Sequence, residues 1–362
     1  MAALDPAVAA IRNAVRSTLL VDLGLSDVIG DQTAPLSPRS TSGVRVGGVR
    51  VGVSGVGVSG VGVLVACSGG ADSLALAAAA AFVAPRLGVP VGLVTVDHQL
   101  QPGSAQRAEE VADWARKAGF DPVVVQTVEV AGRGGGPEAA ARDARYEGLV
   151  AAARAHGART VLLGHTREDQ AETVLLALLR GAGLRGLAGM PTRRAVDQVV
   201  LARPLLEISR TQTRAACTAL ALTPWEDPHN ADPAFGRARA RTLLRSLVDN
   251  LGPAVVPNLA QTARRAAVDG AALDDLAASA GEAVRDDDGS LRVSDLAGLA
   301  EAIRTRVLLA WARSLDAPGS GLSHRHIEAL DALVVDWHGQ GPVHLPGGIA
   351  VARRDGRLSP MS

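Results

Sequence analysis

Residues 61–84 read VGVLVACSGGADSLALAAAAAFVA: an apolar run, a Ser-Gly-Gly turn and an alanine-rich run in direct succession. The first run, at 61–67, predicts a buried strand, and the last, at 74–84, predicts a helix. A strand that turns through glycines into a helix points several backbone N–H groups at one spot, with the positive end of the helix dipole behind them. The stretch ACSGGADS at 66–73 therefore predicts an anion site.

This loop differs from the common P-loop, which requires a lysine after its second glycine. The only lysine of the chain is Lys117, outside the loop. We expect a pyrophosphate to be surrounded by Ser68, Gly69, Gly70, Ala71 and Ser73. Asp72 is then placed to hold Mg²⁺ on that pyrophosphate. A glycine turn that binds nothing is the alternative, and the rest of the chain has to decide between the two.

The composition limits the class of protein. With 362 residues, the chain is long enough for two domains and a well-buried core. Its formal net charge of zero leaves local arginine clusters as the candidates for contact with nucleic acid. Cys67 and Cys217 have neither metal-binding nor disulfide spacing, which fits a reducing cytosol. We recognise no signal peptide and no membrane span, and therefore expect a cytoplasmic protein.

Three regions follow one another along the chain. Residues 1–60 contain an amphipathic helix at 6–24, and a low-complexity segment in which valine alternates with Gly, Ser or Arg begins at residue 44 and ends at residue 63. Residues 61–250 alternate strands with helices, which predicts a mostly parallel, Rossmann-like α/β sheet with helices on both faces. Residues 251–362 predict a smaller, mainly helical domain that ends in a β-hairpin.

Polar side chains follow three of the predicted strands. The SGGADS loop ends the first strand, Asp97 and His98 end the strand predicted at 91–96, and His165 ends the strand predicted at 160–164. The carboxyl ends of parallel strands meet at one edge of a sheet, and ligands bind there. We therefore expect these residues to line one site.

The segment EAAARDARY at 138–146 predicts a helix with charged residues on one face. Glu138, Arg142 and Arg145 are spaced by four and three residues, so they share that face. A solvated Glu–Arg pair on a surface helix is the ordinary explanation. The functional one is an arginine that is held by a carboxylate and makes bidentate contacts to phosphates.

The segment HTREDQAET at 165–173 opens another predicted helix with acidic residues. Acidic residues in a first helical turn are ordinary caps. In the functional interpretation, Asp169 is a metal ligand or a base for an incoming amine. Further along, residues 225–241 read WEDPHNADPAFGRARAR. Arg237, Arg239 and Arg241 belong either to a charged linker or to a surface that grips a nucleic-acid backbone.

In this order, these segments resemble the tRNA(Ile)-lysidine synthetase family of N-type ATP pyrophosphatases, part of the PP-loop superfamily. The resemblance covers roughly residues 61–360. The matching segments are SGGADS, VDHQLQPGS (96–104), EAAARDARY, GHTREDQAETVLLALLRGAGLRGLAGM (164–190) and ARPLL (202–206). SGGxDS alone is shared by the whole superfamily, whereas the combination with H-x-x-[D/E]-D-Q-A-E-T is specific to this family.

The resemblance implies a two-step reaction on a CAU-anticodon isoleucine tRNA. The wobble cytidine is adenylated by ATP with release of pyrophosphate, and free L-lysine then displaces AMP to give lysidine. The family pattern carries ATP contacts over to Ser68, Gly69, Gly70, Ala71, Asp72, Ser73, Asp97, His98 and His165. It implies that Asp72, Arg145 and Asp169 are catalytic, that Arg142 positions phosphates, and that Asp72 binds Mg²⁺. Arg237, Arg239 and Arg241 would contact the tRNA, and the protein would be a monomer or a homodimer.

The chain departs from the family pattern at Glu168, where the family often has an aspartate. Two other interpretations remain. One is a different PP-loop enzyme, such as a tRNA thiolase or an amide-forming synthetase, although no C-x-x-C motif or amidotransferase nucleophile is visible. The other is a tRNA- or nucleotide-binding relative that has lost catalysis, which the presence of Asp72, Arg145 and Asp169 argues against.

Overall fold

The structure, a computed structural model, divides the chain into two units with separate hydrophobic cores. The units are Met1–Arg264 and Arg265–Ser362. The sequence TAPLSPRSTSG at 33–43, rich in polar residues and proline, predicts a loop, and it lies outside the residues that the structure describes. Those residues are 4–24, 44–46, 49–51, 61–99, 101, 103–130, 137–226, 236–317 and 321–361.

The first unit is built on a six-stranded sheet in the order β5-β4-β3-β6-β8-β7, in which only β7 runs antiparallel. This confirms the predicted, mostly parallel sheet. The sequence did not predict β7, because this short edge strand begins with two arginines and lacks an apolar run. It pairs with β8 through a tight turn at Asp197, where φ is +53°. The strands are β3 (Val63–Ala66), β4 (Val91–Asp97), β5 (Val123–Thr127), β6 (Thr160–Leu162), β7 (Arg193–Val196) and β8 (Val199–Ala202).

Helices cover both faces of this sheet, as predicted. Along β3, Val63 and Val65 pack into the core beneath α1 and α2, whereas Leu64 packs into the core on the side of α4. This alternation follows from the two-residue period of a strand. The helices are α1 (Pro6–Asp22), α2 (Ala71–Val83), α3 (Ser104–Lys117), α4 (Pro137–Ala155), α5 (Arg167–Leu179), α6 (Leu184–Leu187), α7 (Arg210–Ala219), α8 (Gly236–Leu251) and α9 (Val255–Val284), with a 3₁₀ turn at Pro85–Leu87.

The sheet changes its winding direction at β3. From β3 the chain moves outward to β4 and β5, and then returns to the other side of β3 as β6. A crevice forms at the carboxyl edge of a sheet, the edge where its parallel strands end, at such a switch point. Gly164 lies there after β6, and an added Cβ would come within 3.2 Å of the Asp72 backbone. The start of α2 and the end of β6 therefore lie side by side.

The second unit combines helices with a four-stranded antiparallel sheet in the order β10-β11-β12-β9. The predicted hairpin is present and is extended by β9. Trp311 is buried in the core and donates from Nε1 to the Gly289 carbonyl at 2.8 Å. Besides the end of α9, the elements are β9 (Leu291–Arg292), α10 (Val293–Ala297), α11 (Glu301–Ser314), α12 (His324–Val335), β10 (Val343–Leu345), β11 (Ile349–Arg354) and β12 (Arg357–Pro360).

The valine-rich segment at 44–63 is described only in part. Two short strands in it, β1 (Val44–Val46) and β2 (Val49–Val51), pair antiparallel, and its last residues lead into β3. None of the helices in the described part of the chain has the length and hydropathy needed to cross a membrane.

Candidate active site

The Ser-Gly-Gly turn forms a cradle of backbone N–H groups at the start of α2. Gly69 has φ of +84°, which a residue with a side chain rarely adopts, and Gly70 caps the helix in an extended conformation. The Ser73 hydroxyl accepts from the Ser68 N–H at 3.1 Å and donates to the Gly70 carbonyl at 2.9 Å. The Trp225 N–H donates to the Gly69 carbonyl at 2.9 Å. These bonds fix the turn while the first N–H groups of α2 remain available for an anion.

Asp72 lies in the first turn of α2 beside this cradle. Its side chain is 28% exposed, its Oδ1 accepts from the Thr213 hydroxyl, and its Oδ2 lies 3.9 Å from Arg210 Nε. Burial raises the pKa of Asp72 to about 6, and the charges of Asp169 and Glu168 add to this effect. The hydrogen bond from Thr213 and the charge of Arg210 oppose the rise without cancelling it.

Arg210, the first residue of α7, lies among the acidic residues of the site. Its Nη2 is 2.5 Å from Asp169 Oδ1, its Nη1 is 2.8 Å from Glu172 Oε1, and its backbone N–H donates to Glu168 Oε2 at 2.9 Å. Sequence reasoning missed this residue. A cation at the N-terminus of a helix opposes the helix dipole, and that mismatch was the available signal that a carboxylate partner lay elsewhere in the fold.

Asp169 serves as a helix cap and also contacts the site. Its Oδ2 accepts from the N–H and the hydroxyl of Thr166, at 2.7 and 2.9 Å, and its Oδ1 faces Arg210. Burial opposes ionisation of Asp169, but the charge of Arg210 and the bonds from Thr166 outweigh it and hold its pKa below the usual range. Glu172 is buried between Arg210 and Arg241, whose Nε lies 3.0 Å from Glu172 Oε1. Asp169 is thus held in its ionised form, and arginines bridge Asp169 and Glu172.

Arg142 and Arg145 lie on α4 around Tyr146. The guanidinium carbon of each is 5.5 Å from the centre of the Tyr146 ring. The expected support of Arg142 by Glu138 is wrong, since the Glu138 carboxylate accepts from the Gly236 N–H at 2.7 Å and ties the start of α8 to α4. Burial raises the pKa of Tyr146, but the charges of Arg145, Arg203 and Arg142 have the larger, opposite effect, so the pKa is lowered to about 8.

His165 follows β6 and lies close to these cations. Its Nδ1 is buried and has no hydrogen-bond partner in the described part of the chain. Burial, followed by the charges of Arg145, Arg203 and Arg237, lowers the pKa of His165 to about 3 in spite of the opposing charge of Asp169. His165 is therefore a neutral imidazole with an unused nitrogen.

The turn after β4 holds the other predicted residues of this edge. Asp97 is buried, and its Oδ1 accepts from the Gln99 N–H at 2.9 Å. Gln99 has φ of +56°, so the Asp97 side chain supports a strained turn that also contains His98. Asp97 is the last residue of β4, the strand next to β3, and His98 follows it. The role of both at the nucleotide stays a prediction.

The three arginines near residue 240, for which the sequence left a charged linker and a nucleic-acid contact as alternatives, lie on the helix α8. Residues four apart share a helix face and residues two apart do not. Accordingly, Arg241 reaches Glu172, the charge of Arg237 acts on His165, and Arg239 is exposed. Asp227, Asn230 and Asp232, noted with them in the sequence, lie outside the described residues.

Comparison with known proteins identifies relatives for both units. The PP-loop domain family matches residues 57–247, and the TilS substrate binding domain matches residues 291–359. A tRNA(Ile)-lysidine synthase of Salinispora tropica is 66% identical over 298 residues, which cover 82% of this chain and 90% of the relative. One from Salinispora arenicola is 58% identical over 362 residues, covering 99% of this chain and 98% of the relative. One from Streptomyces coelicolor is 53% identical over 297 residues, which cover 82% of this chain and 84% of the relative.

Proposed function

The chain belongs to the tRNA(Ile)-lysidine synthase family, and we propose from its geometry how its residues share the work of that reaction. The enzyme is a ligase that uses ATP to form lysidine on isoleucine tRNA. Free L-lysine is joined to C2 of the wobble cytidine of the CAU anticodon, in the cytoplasm. The observation that supports this most directly is the lysine-free phosphate cradle of α2 beside Asp72, with the acidic cluster around Arg210 next to it.

In the first step, the O2 atom of the cytosine attacks the α-phosphorus of ATP. The bond from that phosphorus to the bridging oxygen breaks, and pyrophosphate remains in the N–H cradle of residues 68–73. Negative charge develops on the phosphate oxygens, and cations fixed in advance lower the barrier most effectively. Arg145 supplies one such charge and Arg142 orients the phosphates beside it, since both lie around Tyr146 without a carboxylate partner among the described residues.

Asp72 fits a magnesium ion better than a metal that needs many protein ligands. The described residues include no group of three or more metal-binding side chains. Mg²⁺ is commonly bound by one or two carboxylates, substrate phosphates and water. Asp72, partly exposed beside the cradle, provides one such carboxylate, and Mg²⁺ held there would supply positive charge at the phosphates.

In the second step, the amine of lysine attacks C2 of the adenylated cytosine, and the C2–O2 bond breaks to release AMP. The ammonium form of lysine must first pass a proton to water, so that the neutral amine can attack. A carboxylate whose pKa is held low binds an ammonium group well but accepts a proton poorly. We therefore assign Asp169 to positioning of the lysine amine beside C2.

The tRNA contacts involve α8 and the C-terminal region. Arg239 is exposed, and arginines bind phosphate oxygens of a nucleic-acid backbone. We assign residues 251–362 to the tRNA-contacting domain, which is supported by the match of the TilS substrate binding domain within it. Residues 1–60 precede the PP-loop domain, for which we retain the range 61–250.

Pyrophosphate release from ATP tests the proposal when ATP, lysine and isoleucine tRNA are omitted one at a time. We expect release only with all three, together with a tRNA mass increase that corresponds to lysine minus water. Turnover with a sulfur donor or glutamine in place of lysine would instead identify a thiolase or an amide-forming synthetase. ATP binding without any turnover would identify a relative that has lost catalysis.

A further inference from the structure

Four arginines converge near the ends of β6 and β8 without carboxylate partners. Arg142 and Arg145 flank Tyr146, Arg203 approaches the Tyr146 hydroxyl with its Nη2 at 3.4 Å, and Arg237 is the second residue of α8. None of the four makes an ion pair with a carboxylate in the described part of the chain. Arg210 and Arg241, in contrast, are both paired with the acidic residues of α5.

The backbone brings these residues together. His165 and Arg203 come just after β6 and β8, which are parallel neighbours joined further by the Leu163 N–H and the Ala202 carbonyl at 2.8 Å. Arg203 is 3% exposed, its Nη1 donates to the Pro191 carbonyl at 2.8 Å, and its Nε has no partner among the described residues. The hydrogen bond from the Gly236 N–H to Glu138 brings Arg237, the next residue, to the face of α4 that also carries Arg142 and Arg145.

The charge of Asp169 acts on this cluster, but Asp169 is already paired with Arg210, so positive charge is in excess among the described residues. Cations that are removed from water and placed side by side repel one another, and buried charges in proteins are normally paired. Burial, followed by the charge of Arg142, lowers the pKa of Arg237, which reflects this repulsion. The neutral His165 adds an unpartnered, buried Nδ1 to the same place. A ligand that carries negative charge and accepts several N–H bonds would complete the cluster.

We propose that Tyr146, His165, Arg203 and Arg237, together with Arg145, form a second phosphate subsite. It differs from the pyrophosphate cradle, which follows β3 and uses backbone N–H groups. Its ligand is a phosphate monoester or diester bound by guanidinium groups. This proposal rests on the proposed function, which supplies two possible sources of the phosphate. One is the adenylyl phosphate that leaves as AMP, and the other is a phosphodiester of the anticodon strand beside the wobble cytidine.

Equilibrium binding distinguishes the two sources without any turnover. The probes are AMP, inorganic pyrophosphate and an anticodon stem-loop RNA of isoleucine tRNA, each titrated against the full-length protein. The variants are Arg237→Gln and the more buried Arg203→Gln, and each is checked for a native unfolding transition. Arg154→Gln is the matched control, because Arg154 is an exposed arginine of α4 that pairs with Asp197.

We expect Arg237→Gln to weaken binding of AMP or of the stem-loop by about tenfold, the size of one lost charge-assisted hydrogen bond. Pyrophosphate affinity and the control variant should not change. A loss confined to AMP identifies the adenylyl phosphate, and a loss confined to the RNA identifies the phosphodiester. Unchanged affinity for both probes in a folded variant, or an equal loss for pyrophosphate, would overturn the second subsite. If the wild-type protein bound these probes as expected but released no pyrophosphate with tRNA and lysine, the proposed function would fail and the subsite would stand.

Discussion

At the scale of single residues, the site brings carboxylates close together, which destabilises the folded protein, and one arginine, Arg210, offsets their repulsion. Asp72 is mostly buried and close to Asp169 and Glu168, so its ionised form is disfavoured in the folded protein. Arg210 offsets the repulsion by contacting Asp72, Asp169 and Glu172 together. Catalytic sites commonly retain such unfavourable charges, because the same charges bind the substrate and its counter-ions.

Replacement of Asp72 by Asn should abolish pyrophosphate release and stabilise the ligand-free protein. The pKa of Asp72 is about 6 in the folded protein and 3.8 in the reference state, so between these values the folded state binds more protons than the unfolded state. The Asp72 contribution therefore destabilises the protein as pH rises from about 4 to 6, and the loss remains at higher pH. We expect the variant to gain about 1–2 kcal/mol at neutral pH in urea unfolding.

The control is the pH dependence of the same measurement. Wild-type and Asp72→Asn proteins should differ most above about pH 6 and converge near pH 4. A constant difference across this range would contradict the raised pKa of Asp72.

Replacement of Arg210 by Met should destabilise the first unit by about 3 kcal/mol, because it leaves Asp169 and Glu172 buried with too little positive charge. The stability of Arg210→Lys should lie between those of the wild-type protein and Arg210→Met, because one ammonium group cannot reproduce the forked contacts to both carboxylates. Thermal or urea unfolding gives the measurement. Arg214→Met is the matched control on the same helix: Arg214 is 64% exposed and pairs with the exposed Glu226, so its loss should cost less than about 1 kcal/mol. Equal losses for the two arginines would contradict the bridging role.

At the scale of elements, helix geometry separates residues that look equivalent in the sequence. The alternating arginines of 237–241 suggest one basic surface if the chain is read as extended. On α8 they are divided between the face toward α5, which carries Arg241, and an exposed face that carries Arg239. Arginines that look alike in the sequence therefore have different partners and different expected roles.

Arg239→Ala should weaken tRNA binding uniformly and reduce the salt dependence of affinity by about one unit of slope, with ATP affinity unchanged. Arg241→Ala should instead lower the stability of the first unit by about 1–3 kcal/mol, because Glu172 loses one of its two cationic partners. Filter binding at several salt concentrations and urea unfolding separate the two effects. Unchanged tRNA affinity in Arg239→Ala would remove the assigned contact.

The glycine-rich segment after α5 is held by Gln170. The Gln170 side chain donates to the Met190 carbonyl at 3.0 Å and accepts from the Met190 N–H at 2.8 Å. Gly189 has φ of +63°, and an added Cβ would lie 2.7 Å from Gln170 Oε1.

We expect Gly189→Ala to break both bonds between Gln170 and Met190, to destabilise the protein by about 1–3 kcal/mol and to make residues 180–190 more susceptible to proteolysis. Gly183→Ala is the control, since an added Cβ there meets nothing within 4 Å; similar proteolysis of both variants would contradict the anchoring role.

At the scale of the whole molecule, two units support different parts of the proposed reaction. All residues assigned to ATP lie in Met1–Arg264, whereas the TilS substrate binding domain lies in Arg265–Ser362. Leu205 and Leu330 are fully buried, one in each unit.

Leu205→Ala and Leu330→Ala should each destabilise its own unit by about 2–5 kcal/mol, through lost burial and the cavity left behind. Hydrogen exchange should place each loss in the unit that contains the substitution. ATP affinity measured below the unfolding transition should fall for Leu205→Ala and remain unchanged for Leu330→Ala. Equal effects on ATP affinity would contradict the assignment of nucleotide binding to the first unit.

The sequence by itself determined the features that depend on neighbouring residues. The strand–turn–helix order at 61–84 predicted the glycine turn between β3 and α2, and the alternation of strands and helices predicted the mostly parallel sheet. The resemblance of local motifs pointed to the family that the comparisons identify. These features could be predicted because backbone hydrogen bonding, turn conformation and side-chain periodicity act over a few residues.

Only the tertiary structure decided which charges meet. Thr213 binds Asp72 across 141 positions of the chain, and Arg210 reaches Glu172 across 38. Arg203 and Tyr146 are 57 positions apart. Glu138, expected beside Arg142, binds α8 instead. Partners so distant in sequence are chosen by the packing of helices on the sheet, because the energy of a buried charge depends on what surrounds it in space and not on its neighbours along the chain.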